Sequence, residues 1–393
     1  MSEPFVRQPT ELQSTRHRIL FVIPSLGGGG AERACINILR GLDQEWFECA
    51  LCLFAKEGAF LSEVPPGLRS YDLRGRVQYD LRLIPRLSRI VRHERPSVVL
   101  SFLRYANAIT VLAAAFSRPR PVIVLNEQNY PSAEMPRFRW LRFRRTAIRR
   151  LYAQADVITA ISEGVASDLT TTFHVPHSRI AVIPNPVDVN RIRLLAQEPV
   201  DHPWFNGDAP VIIAVGRLEA QKGYPDLIEA FSILQRDVPA RLVVLGEGSQ
   251  REALEELARE KRLEDKVVFW GFQSNPYRFM ARADVFALSS LYEGFGNVIV
   301  EALALGLPVV ATDCQSGPAE ILEGGRYGML VPVGQPDAMA EALRCILLDS
   351  ALRERLRREG PARAANFDLP VIVERYHHLL SGLLEARASK CAS

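Results

Sequence analysis

Glu293 and Glu301 bracket the segment Glu-Gly-Phe-Gly-Asn-Val-Ile-Val-Glu, placing two carboxylates on either side of a Gly-Phe-Gly turn. The apolar, helix-forming stretch Val298 to Leu305 follows that turn. A helix beginning near Asn297 puts Glu301 about one turn inside it and leaves Glu293 on the loop before it. The backbone amides of Phe295, Gly296 and Asn297 then have no intrahelical partners. Acceptors for sugar hydroxyls thus stand beside donors for an anion. A nucleotide sugar, polyhydroxylated at one end with a diphosphate in the middle, needs both.

Three further loops carry residues of matching chemistry. Ser25-Leu-Gly-Gly-Gly-Gly-Ala-Glu-Arg33 follows the first apolar run, and its glycines allow the backbone to approach a phosphate closely. A dinucleotide fingerprint needs G-x-G-x-x-G, and Glu32 occupies the third glycine position, which speaks against a dehydrogenase. Gly216-Arg-Leu-Glu-Ala-Gln-Lys-Gly223 offers Arg217 as a bidentate fork and Lys222 as a point charge for a diphosphate. It is not a P-loop, which requires G-x-x-x-x-G-K-[ST]. Gly246-Glu-Gly-Ser249 is a turn suited to a base or ribose, and Ser249-x-x-Glu252 reads as a capping box for the helix after it.

These loops must be held by a scaffold, and the chain supplies one in two halves. Candidate strands run over Ile19–Pro24, Cys49–Phe54, Val98–Phe102, Val122–Asn126, Val157–Ile161 and Ile180–Pro184, then Val211–Val215, Arg241–Leu245, Val267–Trp270, Val285–Leu288 and Val309–Ala311. Helical stretches such as Ala31–Leu42, Pro225–Gln235 and Ser249–Arg262 fill the gaps. Near-continuous apolar strands alternating with helices predict α/β architecture with parallel sheets covered on both faces. The pattern runs twice, with an aperiodic, proline-rich break near Ala196–Pro210, so two doubly wound domains are expected with a cleft between their strand ends. Expected boundaries are a leader over 1–18, domains over 19–196 and 197–370, and a C-terminal helix over 371–393 packing back on the first domain.

In order along the chain, Gly-Gly-Ala-Glu-Arg, Ile183-Pro-Asn-Pro-Val-Asp188, Gly216-Arg-Leu with Lys222-Gly, Gly246-Glu-Gly and the E-x7-E segment resemble the family-4 retaining glycosyltransferases (group 1) of the GT-B fold. So do Ala302-Leu-Ala-Leu-Gly-Leu-Pro-Val-Val-Ala-Thr-Asp313 and Ser316-Gly-Pro-Ala-Glu320, and the match spans nearly all the chain. The resemblance implies two facing Rossmann-like domains and transfer of a hexose or N-acetylhexosamine from a nucleotide sugar, UDP-linked, with retained configuration. Arg217 and Lys222 would hold the donor diphosphate, and Glu293 would bind the transferred sugar. Glu301 would bind the ribose, with Gly28, Gly29, Gly248, Phe295, Gly296 and Asn297 lining the donor site. The leaving phosphate would take the acceptor's proton in a front-side attack, so neither glutamate would be a nucleophile. Neither metal nor cofactor is implied; the nucleotide sugar is a substrate.

One departure falls after the third of those strands, where many relatives carry a histidine. The stretch here reads Leu100-Ser-Phe-Leu-Arg-Tyr-Ala-Asn107, which leaves Arg104, Tyr105 or Asn107 to substitute. Asn126, Glu127 and Asn129, one strand later, are polar candidates for acceptor recognition. An epimerase or hydrolase on the same scaffold, or a non-catalytic nucleotide- or glycan-binding protein, is the alternative function.

Composition narrows the setting. The chain of 393 residues, 48% apolar and 24% charged, is typical of globular proteins and long enough for two cores. Its longest weakly polar run, Ala106 to Phe116, is too short to span a membrane, and the polar N-terminus does not read as a signal peptide. Cys49 and Cys52 form a C-x-x-C that alternates like a buried strand, and the six cysteines lack metal spacing, which fits a cytoplasmic protein. The net charge of +3 hides a basic first half, with seven arginines in Arg74 to Arg95 and seven in Arg137 to Arg150, the second run interleaved with aromatics. Such stretches suit the inner face of an anionic membrane and hence a lipid-linked acceptor, with a glycan as the other acceptor expected, in cell-envelope polysaccharide or glycolipid synthesis. A plain solvated face has the same composition. No nucleic-acid recognition motif accompanies the arginines.

Overall fold

The computed structural model describes residues 16–76, 80–133 and 141–392. Most of the expected leader lies outside these residues, as do positions 77–79 and 134–140 of the two arginine-rich runs. The end of the expected leader is already strand. β1 (His17–Ile23) begins at His17, whose amide donates to the Trp46 carbonyl at 2.9 Å.

The first sheet continues with β2 (Phe47–Leu53), β3 (Arg69–Asp72), β4 (Val98–Phe102), β5 (Val122–Glu127), β6 (Val157–Ala160) and β7 (Ile180–Val182). Its order is β3-β2-β1-β4-β5-β6-β7, with parallel neighbours throughout. The second comprises β8 (Val211–Val215), β9 (Arg241–Leu245), β10 (Val267–Phe269), β11 (Val285–Leu288), β12 (Val309–Thr312) and β13 (Met329–Val331), ordered β10-β9-β8-β11-β12-β13 and also parallel. Every residue of β4 and β5 is buried, as are all four of β11 and of β12. Each such Val, Leu, Ile or Phe contributes roughly 1.5–3 kcal/mol on burial, which explains the continuous apolar runs. β3 escapes the sequence reading for the converse reason, while β13 is apolar but only three residues long. They are edges, and Arg69-Ser-Tyr-Asp72 is mostly exposed and has no apolar run to mark it.

Strand order reverses between β1 and β4 in one sheet and between β8 and β11 in the other. A crevice opens at the carboxyl ends of strands at such switch points. The loops after β1 and β4 therefore converge in one domain, and those after β8 and β11 in the other.

The break at 196–210 is packed rather than loose. His202, Trp204 and Phe205 close on Trp270 and Phe279, with the His202 and Trp270 rings 4.6 Å apart. The chain crosses back at Phe367–Leu369, directly beside its first crossing: Val187 N–H donates to Phe367 O at 2.9 Å and Leu369 N–H to Val187 O at 3.0 Å. The final helix, Leu369–Ala392, then places Ile372, Val373, Tyr376, Leu380 and Leu384 in the core beneath β1, β2 and β4. Cys52 is buried and Cys49 half-buried in β2, and burial pushes the Cys49 thiol up to about 12, in keeping with an inert structural pair.

The expected capping box does not form. Ser249 donates its hydroxyl to Glu219 at 2.7 Å, and the helix starts later, at Arg251, after Gln250.

Candidate active site

A cleft of about 1490 Å³ lies between the domains, walled by the loops after β1, β4, β8 and β11. Gly28, Gly29, Arg104, Tyr105, Arg217, Lys222, Glu293, Phe295, Gly296, Asn297 and Glu301 all line it. The β8 and β11 loops meet at the second sheet's switch point. There Lys222 Nζ lies 2.6 Å from Glu293 Oε1, and the Ser290 hydroxyl donates to the same oxygen at 2.7 Å. Gly223 makes the meeting possible. Its φ of 60° is left-handed, and a Cβ there would run into the Ser289 carbonyl. Behind the pair, Tyr224 donates to Gly216 O at 3.1 Å, and burial together with Glu293 pushes its phenol up.

The helix Asn297–Ala304 begins where the sequence places it, after Gly296 at φ 100°, with Glu301 in its second turn. Burial pushes the Glu301 carboxyl up to about 7, opposed by the Arg33 guanidinium and by a hydrogen bond with Tyr277. Arg33 comes from the other domain, in the first turns of the helix Gly30–Gly41, and is held 3.8 Å over the Phe60 ring and against Glu63. Glu63 also takes Arg191 and, at 3.8 Å, Arg40, so one carboxylate gathers three arginines at this edge of the cleft. Glu32, a position that breaks the dinucleotide fingerprint, lines the wall; burial raises its carboxyl while Arg217, across the cleft, pulls it down. Arg217 itself is exposed.

Four candidates lie elsewhere. Asn107 is fully buried, accepting from the Ser101 hydroxyl at 2.5 Å and donating to Asn126 O at 3.0 Å, so it braces β4 against β5. Glu127 is buried at the end of β5, where its carboxylate accepts from the Tyr152 hydroxyl. Gly248 packs on the Leu218 backbone instead of facing the cleft. Of the remaining β5-loop candidates, Asn126 is buried while Asn129 lines the cleft. Arg104 and Tyr105 follow Leu103, a non-glycine residue at φ 74°, the kind of strain that collects at functional sites. Tyr105 Oη accepts the Asp80 amide at 2.5 Å.

Sequence reasoning left Arg33, Asn185, Tyr277 and Ser290 without roles. The first two sit inside quoted motifs, which was their signal; the others have none. Asn185, 3% exposed, exchanges hydrogen bonds with Gln128 and donates to Asn297 Oδ1 at 3.1 Å, and Asn297 donates to Gly30 O at 3.3 Å. A polar chain thus ties the first domain to the start of the Glu301 helix.

Comparison with known proteins fits this geometry. Residues 28–191 match the model of Glycosyltransferase Family 4 and residues 201–363 that of Glycosyl transferases group 1. A Campylobacter jejuni N-acetylgalactosamine-N,N'-diacetylbacillosaminyl-diphospho-undecaprenol 4-alpha-N-acetylgalactosaminyltransferase is 31% identical, over 88% of this chain and 94% of its own. The chain belongs to the group 1 glycosyltransferases. Another member, the Rhizobium meliloti lipopolysaccharide core biosynthesis glycosyltransferase LpsE, is 29% identical over 90% of this chain and 96% of its own. The GT-B fold is that of Anabaena HepE in complex with UDP and glucose, with a TM-score of 0.77 at 23% identity over 93% of this glycosyltransferase and 100% of that chain. Among the described residues no helix is long and apolar enough to cross a membrane.

Proposed function

We propose that this glycosyltransferase moves a hexose or N-acetylhexosamine from a UDP-linked donor to a lipid-linked acceptor, with retained configuration and without a metal. The observation that carries the reading is the convergence of Lys222, Glu293 and the Phe295–Asn297 turn at the second sheet's switch point. Lys222 and Arg217 would neutralise the diphosphate as it departs, a contribution of about 3–4 kcal/mol for a well-aimed group. Glu301 would take the ribose, and Glu293 the sugar hydroxyls. A leaving phosphate held between these cations is positioned to accept the acceptor's proton. UDP in the HepE structure and the diphospho-undecaprenol acceptor named for the Campylobacter relative support the choice of substrates.

The acceptor side would meet the inner face of the membrane. The helix Leu83–Glu94 packs beside Arg104–Ala114, which packs beside Leu141–Tyr152. These helices and their flanks expose Arg82, Arg89, Arg92, Arg145, Arg149 and Arg150, together with Leu81 and Phe116 at 72% and 68% exposure. Cations around apolar tips suit anionic lipid.

A thermal-shift panel of UDP-, GDP- and ADP-sugars tests the donor, since a ligand of the folded state raises Tm. A UDP-sugar should win, and product NMR with a polyprenyl-diphosphate-linked acceptor should show a retained anomer with EDTA present. Free sugar released without acceptor would instead indicate a hydrolase. Pelleting with anionic vesicles should succeed at low salt and fail at high salt.

A further inference from the structure

Beside Glu293, the next residue is gripped from the opposite domain. Ser162 Oγ lies 2.8 Å from Gly294 O and 2.6 Å from Ser316 Oγ, and Ser316 Oγ lies 2.9 Å from the same carbonyl. Two hydroxyls carry two protons for three close approaches, so at any moment two donate. Every arrangement leaves Gly294 O accepting at least one. Ser162 belongs to the first domain and is 1% exposed; Ser316 belongs to the second and is 5% exposed. Gly294 packs closely on the first domain, where a Cβ would strike the Gln128 carbonyl.

A second contact locks the same corner. Ser162 caps the helix Glu163–Phe173, accepting from Val165 N at 3.1 Å. The next two amides, of Glu163 and Gly164, both donate at 2.9 Å to the Glu320 carboxylate, which comes from the second domain. An anion at a helix N-terminus completes free amides and meets the positive end of the dipole. Arg363 holds the Glu320 and Ile321 carbonyls at 2.7 and 2.8 Å, so the carboxylate is presented on a fixed backbone.

We propose that Ser162 and Glu320 are positioning residues that couple domain closure to the Glu293 loop, setting the sugar-binding carboxylate only when the two domains are clasped. The proposal rests on the glycosyl-transfer reading of the cleft. When the domains part, Ser316 alone satisfies Gly294 O, and the loop stays folded but is no longer registered against the first domain. Lys222, Arg217 and Glu301 remain on their own domain, so nucleotide binding does not depend on the clasp.

The test compares Ser162→Ala with Ser316→Ala. Each removes one hydroxyl from Gly294 O and the Ser162–Ser316 bond, but only Ser162→Ala also loses the direct bond from the first domain to Gly294 O. Ser162→Ala should lower kcat about tenfold or more and change UDP affinity less than about threefold, a split expected of lost orientation rather than lost binding. Ser316→Ala should keep kcat within about threefold. Glu320→Gln should behave like Ser162→Ala, and small-angle scattering should show a larger maximum dimension for both clasp variants. Equal losses in the two serine variants, or unchanged turnover in Ser162→Ala and Glu320→Gln, would overturn the proposal. If Ser162→Ala does not fold, Glu320→Gln decides alone. Scattering reads the clasp without turnover, so variants that open beside a wild-type chain that transfers no sugar would sink only the functional reading.

Discussion

Lys222 and Glu293, expected to serve different parts of a donor, are bonded to each other at 2.6 Å with side chains 14% and 8% exposed. A buried pair of this kind recovers its desolvation cost only while both charges are present. On the proposed reading, the donor diphosphate would therefore compete with Glu293 for Lys222. Glu293→Gln should strengthen UDP binding by about threefold to tenfold, as its competitor is gone, while turnover falls ~10²-fold with the lost sugar contact. Calorimetry and steady-state kinetics measure the two; weaker UDP binding would contradict the exchange.

Lys222→Ala should lower turnover by ~10²- to 10³-fold. It also leaves Glu293 without its cation, so stability should drop by as much as about 3–5 kcal/mol. Adding Glu293→Gln should restore Tm without restoring turnover, which separates the fold from the chemistry.

The scaffold and the placement of the cleft loops could be read in advance because their cause is local. Apolar runs mark the buried strands, and Gly296 with Asn297 marks the start of the Glu301 helix. The partners of those loops could not be read. Arg33 meets Glu301, and Ser162 meets Gly294, only because two domains face each other, and no spacing along the chain encodes that distance. Asn107 and Glu127 show the reverse failure. Both are polar and follow or end strands, yet each is buried holding neighbouring elements together, and polarity alone does not separate a brace from a ligand contact.

Glu301 makes the site sensitive to pH. Its folded carboxyl titrates at about 7 against an ordinary value of 4.5, so between these values the folded protein holds a proton that the unfolded chain has lost. Stability should consequently fall as pH rises from about 4.5 through about 7. Nucleotide affinity should run the other way if Glu301 holds the ribose as proposed, since an ionised carboxylate would accept its hydroxyls, and UDP binding should then release a proton below pH ~7. Glu301→Gln should flatten both profiles in chemical denaturation and calorimetry.

Gly223→Ala should cost about 1–3 kcal/mol from the left-handed backbone alone. The added methyl must also displace the Ser289 carbonyl, which shifts Lys222 away from Glu293. A loss of both Tm and donor affinity is expected, in contrast with Ser162→Ala.

The last helix returns to the first domain, so residues 369–392 complete a body begun at His17, and the entire second sheet is an insertion within it. Domains generally fold as units during synthesis. Here the domain made first is finished last. Asn126 donates one amide proton to Thr159 at 2.8 Å, but the second waits for Tyr376, 2.7 Å away and 250 residues along the chain. The second domain can close its own sheet while the first still lacks a wall. Trimming the C-terminus would thus damage the half of the enzyme farthest from it in sequence.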